Sequence, residues 1–504
     1  MTDEKKDTEE VGFDFYGHNV LSLIPIAIFV IGVISLTLME AFSLDSMVAI
    51  GVVGLIIGTF FSKNWGRYWD AIVDGFSDHS VGVVAAIFLS IGIYSQMMST
   101  SNLGGGFVWL GNRIGLTGGL FVAFAFVACA LFGAGTGTSI GTIFTMVPVL
   151  LPAGAILGGN QLFLIGAIVS GAAFGDNWAP VSDTTVLSSS SQKYRNGESA
   201  DVGLVVRTRL KYALVAAAGT FILYMILGGG GEMMGAADVM KEYSYAKGLI
   251  MLVPMAVLIY LAASGRGIFQ AIIGGIGTGF VISMLTGVLS IEDWFRVQEG
   301  TPTGIIPDGV TGMFTVILIY IVVMGSISVM KKSGFIDELL TTLKEKVVHT
   351  PRSAEGMTVI LVSIMDLLAG GITTIAVALS GPLSNDIGKS MKLHPTRRAN
   401  LVDGMAHVWC WMLPWSANVL IIIAAVEGAA ANFDFLNVPD PINFMWIVFY
   451  SWLIFAVMLF ATITGWGREF EGSEGDRVKD KSNKIPDDVD KIAKKEEAEE
   501  KSQD

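Results

Sequence analysis

The sequence predicts an all-α polytopic membrane protein made of two inverted-topology repeats, each of about five spans plus one re-entrant hairpin. Three observations lead there: long uncharged apolar runs, an order of spans that occurs twice, and cationic loops confined to one side. The chain has 504 residues, 52% hydrophobic and only 15% charged. Runs such as 81–98, 116–157 and 211–227 are long enough to cross a bilayer, and there are too many of them for a water-soluble core. Glycine, at 60 residues, suits close helix packing and interrupted helices in lipid.

Hydropathy and charged breaks place spans near 20–38, 47–62, 81–98, 161–186 and 210–227 in the first half. A further segment, 116–157, is interrupted by glycines and hydroxyls over 133–142. Each side of that interruption reads as about fifteen residues, too short to cross at a rise of about 1.5 Å per residue, so a re-entrant hairpin is expected. The second half repeats the order: spans near 246–263, 268–290, 310–330, 399–427 and 442–464, with an interrupted segment at 356–388 broken around Gly370 to Thr374. An odd number of spans per copy turns the second copy upside down. The expected divisions are a cytoplasmic tail (1–19), a first repeat (20–227), an external connecting loop (228–245), a second repeat (246–465) and a charged cytoplasmic tail (466–504).

Loop charge tests the inversion independently. Under this threading Lys63, Arg67, Lys193, Arg195, Arg207, Arg209, Lys211, Arg266, Lys331, Lys332, Lys344, Lys346, Arg352, Lys389, Lys392, Arg397 and Arg398 share one side. Only Arg113, Lys241, Lys247 and Arg296 fall opposite. The cationic side is expected to be cytoplasmic, which places both termini inside and the protein in the cell inner membrane as a multi-pass chain.

The stretch most suited to chemistry runs from Ser170 to Thr185, where two carboxylates, a proline and several hydroxyls end an apolar run. An ionisable group at that depth costs several kcal/mol unless it faces a partner or a cavity, so Asp176 and Asp183 are site candidates. Pro180 removes a backbone donor and disfavours helix at Ala179, so the helix is expected to break and free carbonyls for a cation. A second broken helix is expected over 403–418, with Pro414 in the place of Pro180 and Ser416 in that of Ser182. The plainer alternative is that 176–185 is a polar loop leaving the membrane.

Other function classes find little support. The net charge of -13 sits largely in the two tails, which read as solvated or disordered ends. The two cysteines, Cys129 and Cys410, lie in apolar segments and give no disulfide framework or metal-ligand spacing. The first apolar stretch is expected to remain as a helix rather than be cleaved. No basic patch with interleaved aromatics suggests nucleic acid, and no nucleophile and base spacing or phosphate loop suggests an enzyme.

The Gly175 to Thr185 motif, preceded by Gly135 to Thr142 and followed in the second half by Arg398, Asp403 and Leu413-Pro414-Trp415, resembles the NhaC family of sodium/proton antiporters. The resemblance spans roughly 20–465. It implies secondary active transport by alternating access, an elevator-like architecture, and antiport of Na+ for H+, with relatives that exchange organic acids such as malate and lactate. Expected partners are Na+ as coupling ion, H+ and the lipid bilayer, with a small organic solute and a homodimer left open. No cofactor is expected. Ala179 and Trp178 depart from the family pattern, which commonly has a further small hydroxyl residue before the proline.

Na+ is a hard cation that prefers oxygen. Asp176 is the expected charged ligand, alternately holding Na+ and H+, with Thr138 and Ser139 as its hydroxyl partners and Thr136, Asn177, Ser182 and Thr184 nearby. Asp183 either joins the site or caps the helix that follows. Asp403 and His407, four apart, share a helical face and either handle protons or pair structurally. Thr373, Thr374, Ser416 and Asn418 are the matching candidates of the second repeat, and Asp366 lies near its hairpin tip. Trp409, Trp411 and Trp415 stand near Asp403, where aromatic faces either hold an organic cation or simply pack.

Overall fold

A computed structural model of the chain describes residues 13–39, 41–231, 243–264, 266–336, 338–339, 348–486 and 489. Within them the chain is predominantly helical, and nine helices are long and apolar enough to cross a membrane, or ten with one bent pair. In the first half the long helices are α1 (Ile24–Leu38), α2 (Leu44–Thr59), α4 (His79–Thr100), α6 (Gly118–Thr136), α7 (Ser139–Ile156), α8 (Gln161–Trp178) and α10 (Val202–Leu227), with shorter α3 (Trp65–Phe76), α5 (Leu103–Ile114) and α9 (Asp183–Ser190) between them. The second half contributes α11 (Leu252–Ala263), α12 (Ile268–Thr286), α13 (Ile291–Trp294), α14 (Ile305–Thr311), α15 (Phe314–Lys332), α16 (Pro351–Leu368), α17 (Thr373–Ser390), α18 (Pro395–Ala406), α19 (Ala417–Ala430), α20 (Phe444–Ile447) and α21 (Phe449–Thr464). Each expected span has its helix. The charges at Lys241, Lys344 and Lys346 lie outside the described residues, as does most of the 228–245 loop.

Two compact units divide the chain: Met1–Ala85 with Thr315–Lys346, and Ala86–Phe314 with Val347–Asp504. In the smaller unit, Phe13, Phe15, Leu55, Tyr68 and Ile72 form an apolar cluster with Val322 and Val329. Helix α3, which hydropathy does not reveal, belongs here. Asn64 starts it by accepting from Arg67 N–H (3.0 Å), and it buries Tyr68, Ala71 and Ile72 while Trp65, Trp69 and Val73 stay exposed. The larger unit holds every residue discussed from here on.

Both interrupted segments are helical hairpins whose arms are longer than the sequence suggests. Helices α6 and α7 have 19 and 18 residues, and α16 and α17 have 18 each, so the fifteen-residue reading is corrected. At about 1.5 Å per residue such arms reach roughly the thickness of a hydrocarbon core, and length alone no longer demands a fold-back. The expected orientation does not depend on this difference, because two arms return the chain to its starting side whether they cross fully or turn at mid-depth. The breaks are narrower than expected: Gly137 (φ +67°) and Thr138 separate α6 from α7, and Ala369 to Ile372 separate α16 from α17.

Both crossings are broken where expected, the first at Pro180 and the second over 407–416, where α18 already ends eight residues before Pro414. Helix α8 stops at Trp178 because Ala179, ahead of Pro180, is extended (ψ 126°), and Ser182 is the N-cap residue from which α9 restarts. Helix α18 stops at Ala406, a 3₁₀ turn follows at Trp409–Trp411, and Ser416 is the N-cap of α19. The two serines have nearly the same backbone angles, φ -66° and ψ 137° against φ -65° and ψ 135°. Each takes the place that its proline two residues earlier assigns.

Each hairpin turn presses a left-handed glycine against the serine cap of its own half. A Cβ on Gly137 would stand 2.7 Å from Val181 Cγ2 and 3.1 Å from Ser182 N, and one on Gly371 (φ +76°) would overlap Ser416 Oγ. The second arms are exchanged between halves: α7 packs on α19, and α17 packs on α9. Gly371→Ala combines a disfavoured backbone conformation with a clash, and is expected to cost about 1–3 kcal/mol. A fall in thermal melting of the detergent-purified protein checks this; an unchanged melting temperature contradicts the close approach.

Residues 466–479 depart from the expected solvated end, while 490–504 of that tail lie outside the described residues. Residues Glu469–Glu471 pair antiparallel with Arg477–Lys479, and Arg468, Glu469, Phe470 and Glu471 are buried. Glu355 draws this strap down by accepting from Arg468 (2.8 Å) and Arg397 (2.9 Å), while Arg195 donates to Glu471. Arg397 and Arg398, counted as loop charges from the sequence, are therefore buried and paired. Burial in the same junction holds the His394 imidazole down at about 4, and it stays neutral at the end of α18.

Candidate functional site

Asp176 occupies the last turn of α8, in a position made by the absence of side chains around it. Glycines and alanines let α6 and α8 meet closely: a Cβ on Gly175 would stand 2.8 Å from Ala134 N, and one on Gly133 would stand 3.1 Å from Ala172 O. That approach sets the start of α7 against the Asp176 carboxylate. Ser139 donates both its backbone N–H (3.2 Å) and its hydroxyl (2.6 Å) to Oδ2, while Oδ1 is buried with no hydrogen-bond partner. The aspartate is 8% exposed. Two donors at the positive end of a helix steady the negative charge and leave the other oxygen free for a cation.

His407 faces the same carboxylate. Its Nδ1 lies 3.0 Å from the Asp403 carbonyl oxygen, toward which it donates when it holds the ring proton. Its Nε2 is 3.8 Å from Asp176 Oδ2, buried and without a hydrogen bond. Asn177 sits between the helices: its amide nitrogen is 3.3 Å from His407 Nδ1, and its Oδ1 accepts from the Tyr450 hydroxyl (3.1 Å).

Asp403 does not pair mainly with His407, as the spacing suggested. It forms a fully buried ion pair with Arg209 of α10, and Thr185 donates to its Oδ2 (3.2 Å). Arg209 also donates to the Asn177 carbonyl (2.7 Å) and to Thr185 Oγ1 (3.0 Å), tying α10 to the last turn of α8. Its Nη2 has no hydrogen-bond partner, and Asp403 Oδ1 has none either, lying 3.9 Å from His407 Nδ1. The sequence placed Arg209 among the cytoplasmic loop charges because the span seemed to start at 210; α10 begins at Val202, and the arginine lies inside it. Arg209, Thr185 and Tyr450 are the site residues that sequence reasoning missed. A cation inside a long apolar helix was the available signal.

A second group of predicted residues gathers at the other hairpin. Asn418 donates to Thr373 Oγ1 (3.4 Å), Ser416 donates to the Cys410 carbonyl (2.5 Å), and Cys410 N–H donates to Asp366 Oδ2 (2.9 Å).

The remaining candidates fall elsewhere. Thr136 bonds back to Phe132 O (3.0 Å), and Thr138 caps α7 by accepting from Gly141 N–H (3.3 Å), so of the first tip Ser139 alone contacts Asp176. Asp183 is exposed in the first turn of α9 and is not its N-cap, which is Ser182. Ser182 and Thr184 pair with each other at 3.0 Å. Thr374 is exposed and outside both groups. Trp409 packs against Trp452 and Phe455, Trp411 is buried, and Trp415 is half-buried, an arrangement of packing rather than a cage.

Residues 18–229 and 238–466 match the Na+/H+ antiporter family. The malate-2H(+)/Na(+)-lactate antiporter of Bacillus subtilis is 24% identical, covering 79% of this chain and 84% of that protein. The arginine/ornithine antiporter ArcD of Halobacterium salinarum is 23% identical over 79% and 85% of the two chains. The Na(+)/H(+) antiporter NhaC of Alkalihalophilus pseudofirmus is 22% identical over 58% and 65%. With the family matched across both hairpins and both broken crossings, the chain belongs to the Na+/H+ antiporter family.

Proposed function

We propose that this protein exchanges Na+ for H+ across the cytoplasmic membrane, with Asp176 holding one cation or the other. The supporting observation is the divided carboxylate: Oδ2 is fixed by Ser139, and Oδ1 is buried and open. Na+ at Oδ1 meets a formal negative charge in the last turn of α8, the negative end of that helix. A proton on the same oxygen neutralises the carboxylate instead, so the two occupants exclude each other. His407 Nε2, 3.8 Å from Oδ2, is the neighbouring base that receives the displaced proton.

Alternating access by inverted repeats is part of this reading. Support comes from the matched serine caps, the matched glycine contacts and the exchanged second arms. One-sided loop charge supports cytoplasmic termini, with the loop around Asp293 external.

A second reading is exchange of a small organic solute coupled to Na+. The buried, unpartnered Nη2 of Arg209 favours it, since a guanidinium edge is the group a solute carboxylate would seek. Two of the relatives are also named for organic substrates. Reconstituted into proteoliposomes with an imposed pH gradient, the protein is expected to dissipate that gradient when Na+ alone is added. A strict requirement for malate, lactate, arginine or ornithine overturns Na+/H+ exchange in favour of the second reading.

A further inference from the structure

Two pairs of matched positions set the halves of the larger unit apart. Cys410 stands four residues before Pro414, as Asp176 stands four before Pro180. Thr373 opens the second arm of its hairpin two residues after Gly371, as Ser139 does two after Gly137. The second half therefore has a thiol where the first has its carboxylate. An acid nevertheless stands at the same junction, moved from the crossing to the hairpin: Asp366 lies five residues before Gly371, where the first half has the buried Phe132 five before Gly137. Carboxylate and apolar side chain have exchanged places between the halves.

Asp366 has the same divided geometry as Asp176. Its Oδ2 accepts from the Cys410 backbone N–H (2.9 Å), and its Oδ1 is buried with no partner. The residue is 0% exposed, and no ion pair reaches it among the described residues, whereas the comparably buried Asp403 and Glu355 each have an arginine. A carboxylate left alone in so dry a place costs several kcal/mol, which a bound cation or proton removes. Oxygen ligands belong to the same hydrogen-bonded junction: Ser416 Oγ donates to the carbonyl of Cys410, whose N–H Asp366 receives, and Thr373 Oγ1 is held by Asn418.

We propose that Asp366, with Thr373 and Ser416, forms a second monovalent-cation site, the counterpart of the Asp176 site in the other half of the protein. The proposal rests on the exchange reading above and adds a second cation to each transport cycle. Na+ and the proton share this chemistry, and experiment separates them.

The test uses the full chain, purified and reconstituted, with ²²Na+ as probe and two quantities measured: Na+ bound per chain at equilibrium, and the H+:Na+ ratio from the reversal potential. Asp366→Asn keeps an acceptor for Cys410 N–H and removes the charge. If Na+ occupies the site, the variant binds one Na+ fewer. If the site is a proton carrier, the Na+ count is unchanged and one proton fewer moves per Na+. Exchange that persists with both quantities unchanged overturns the proposal. Should the variant fail to fold, the wild type decides: one Na+ per chain with one-for-one exchange overturns the site, and a second bound cation or a higher proton ratio supports it. Failure of the Asp176 reading is separately visible, since Asp176→Asn would then retain exchange.

Discussion

Asp176→Asn is expected to lower Na+-driven proton flux in proteoliposomes by at least about a hundredfold, equivalent to about 3 kcal/mol. The amide keeps the shape and the acceptor facing Ser139 N–H, so the fold should survive. What it loses is the formal charge that a dehydrated Na+ needs and the group on which Na+ and H+ compete. Asp176→Glu separates charge from placement. It retains the charge but pushes Oδ1's counterpart beyond the α7 terminus, so partial exchange with weakened Na+ affinity is expected. Full activity in the asparagine variant contradicts the proposed site.

Replacing Arg209 should produce the largest stability effect. Arg209→Met leaves Asp403 fully buried with no cation beside it, and breaking such a pair from one side costs about 3–5 kcal/mol. The same change releases the Asn177 carbonyl and Thr185, loosening the turn that holds Asp176. Thermal unfolding in detergent and the folded yield measure it. The double variant Arg209→Met with Asp403→Leu removes both charges, and is expected to be more stable than either single variant. Additive losses in the double variant would show that the two side chains do not act as a pair.

The framework was legible because its signals are local. Pro180 stops α8 through the restricted residue before it, α18 ends at Ala406 well ahead of Pro414, and in both crossings the serine two residues after the proline is the N-cap of the restart. The glycine runs marked both hairpin turns, and apolar length found each long crossing. Tertiary features were not legible. Helix α3 has too few apolar residues for hydropathy and owes its burial to one face. The strap over 468–479 looks like a charged tail, and becomes structure because Glu355 and Glu471 receive arginines from distant parts of the chain. Asp403 looked like a partner for His407 because only neighbours four apart can be seen in a sequence; its true partner lies nearly two hundred residues away, on α10. Ser139 was identified while Thr136 and Thr138 turned back on their own helices, since a hydroxyl's direction depends on where the helix starts.

The central claim is that Na+ and a proton compete for one buried carboxylate, and proton release on Na+ binding tests it most directly. With purified protein in weakly buffered detergent solution, Na+ addition should release protons. The Na+ concentration needed should rise about tenfold for each unit fall in pH over the range where the proton is the main occupant. Asp176→Asn should release at least one proton fewer per chain. Na+ binding that releases no protons and has no pH dependence would contradict the account.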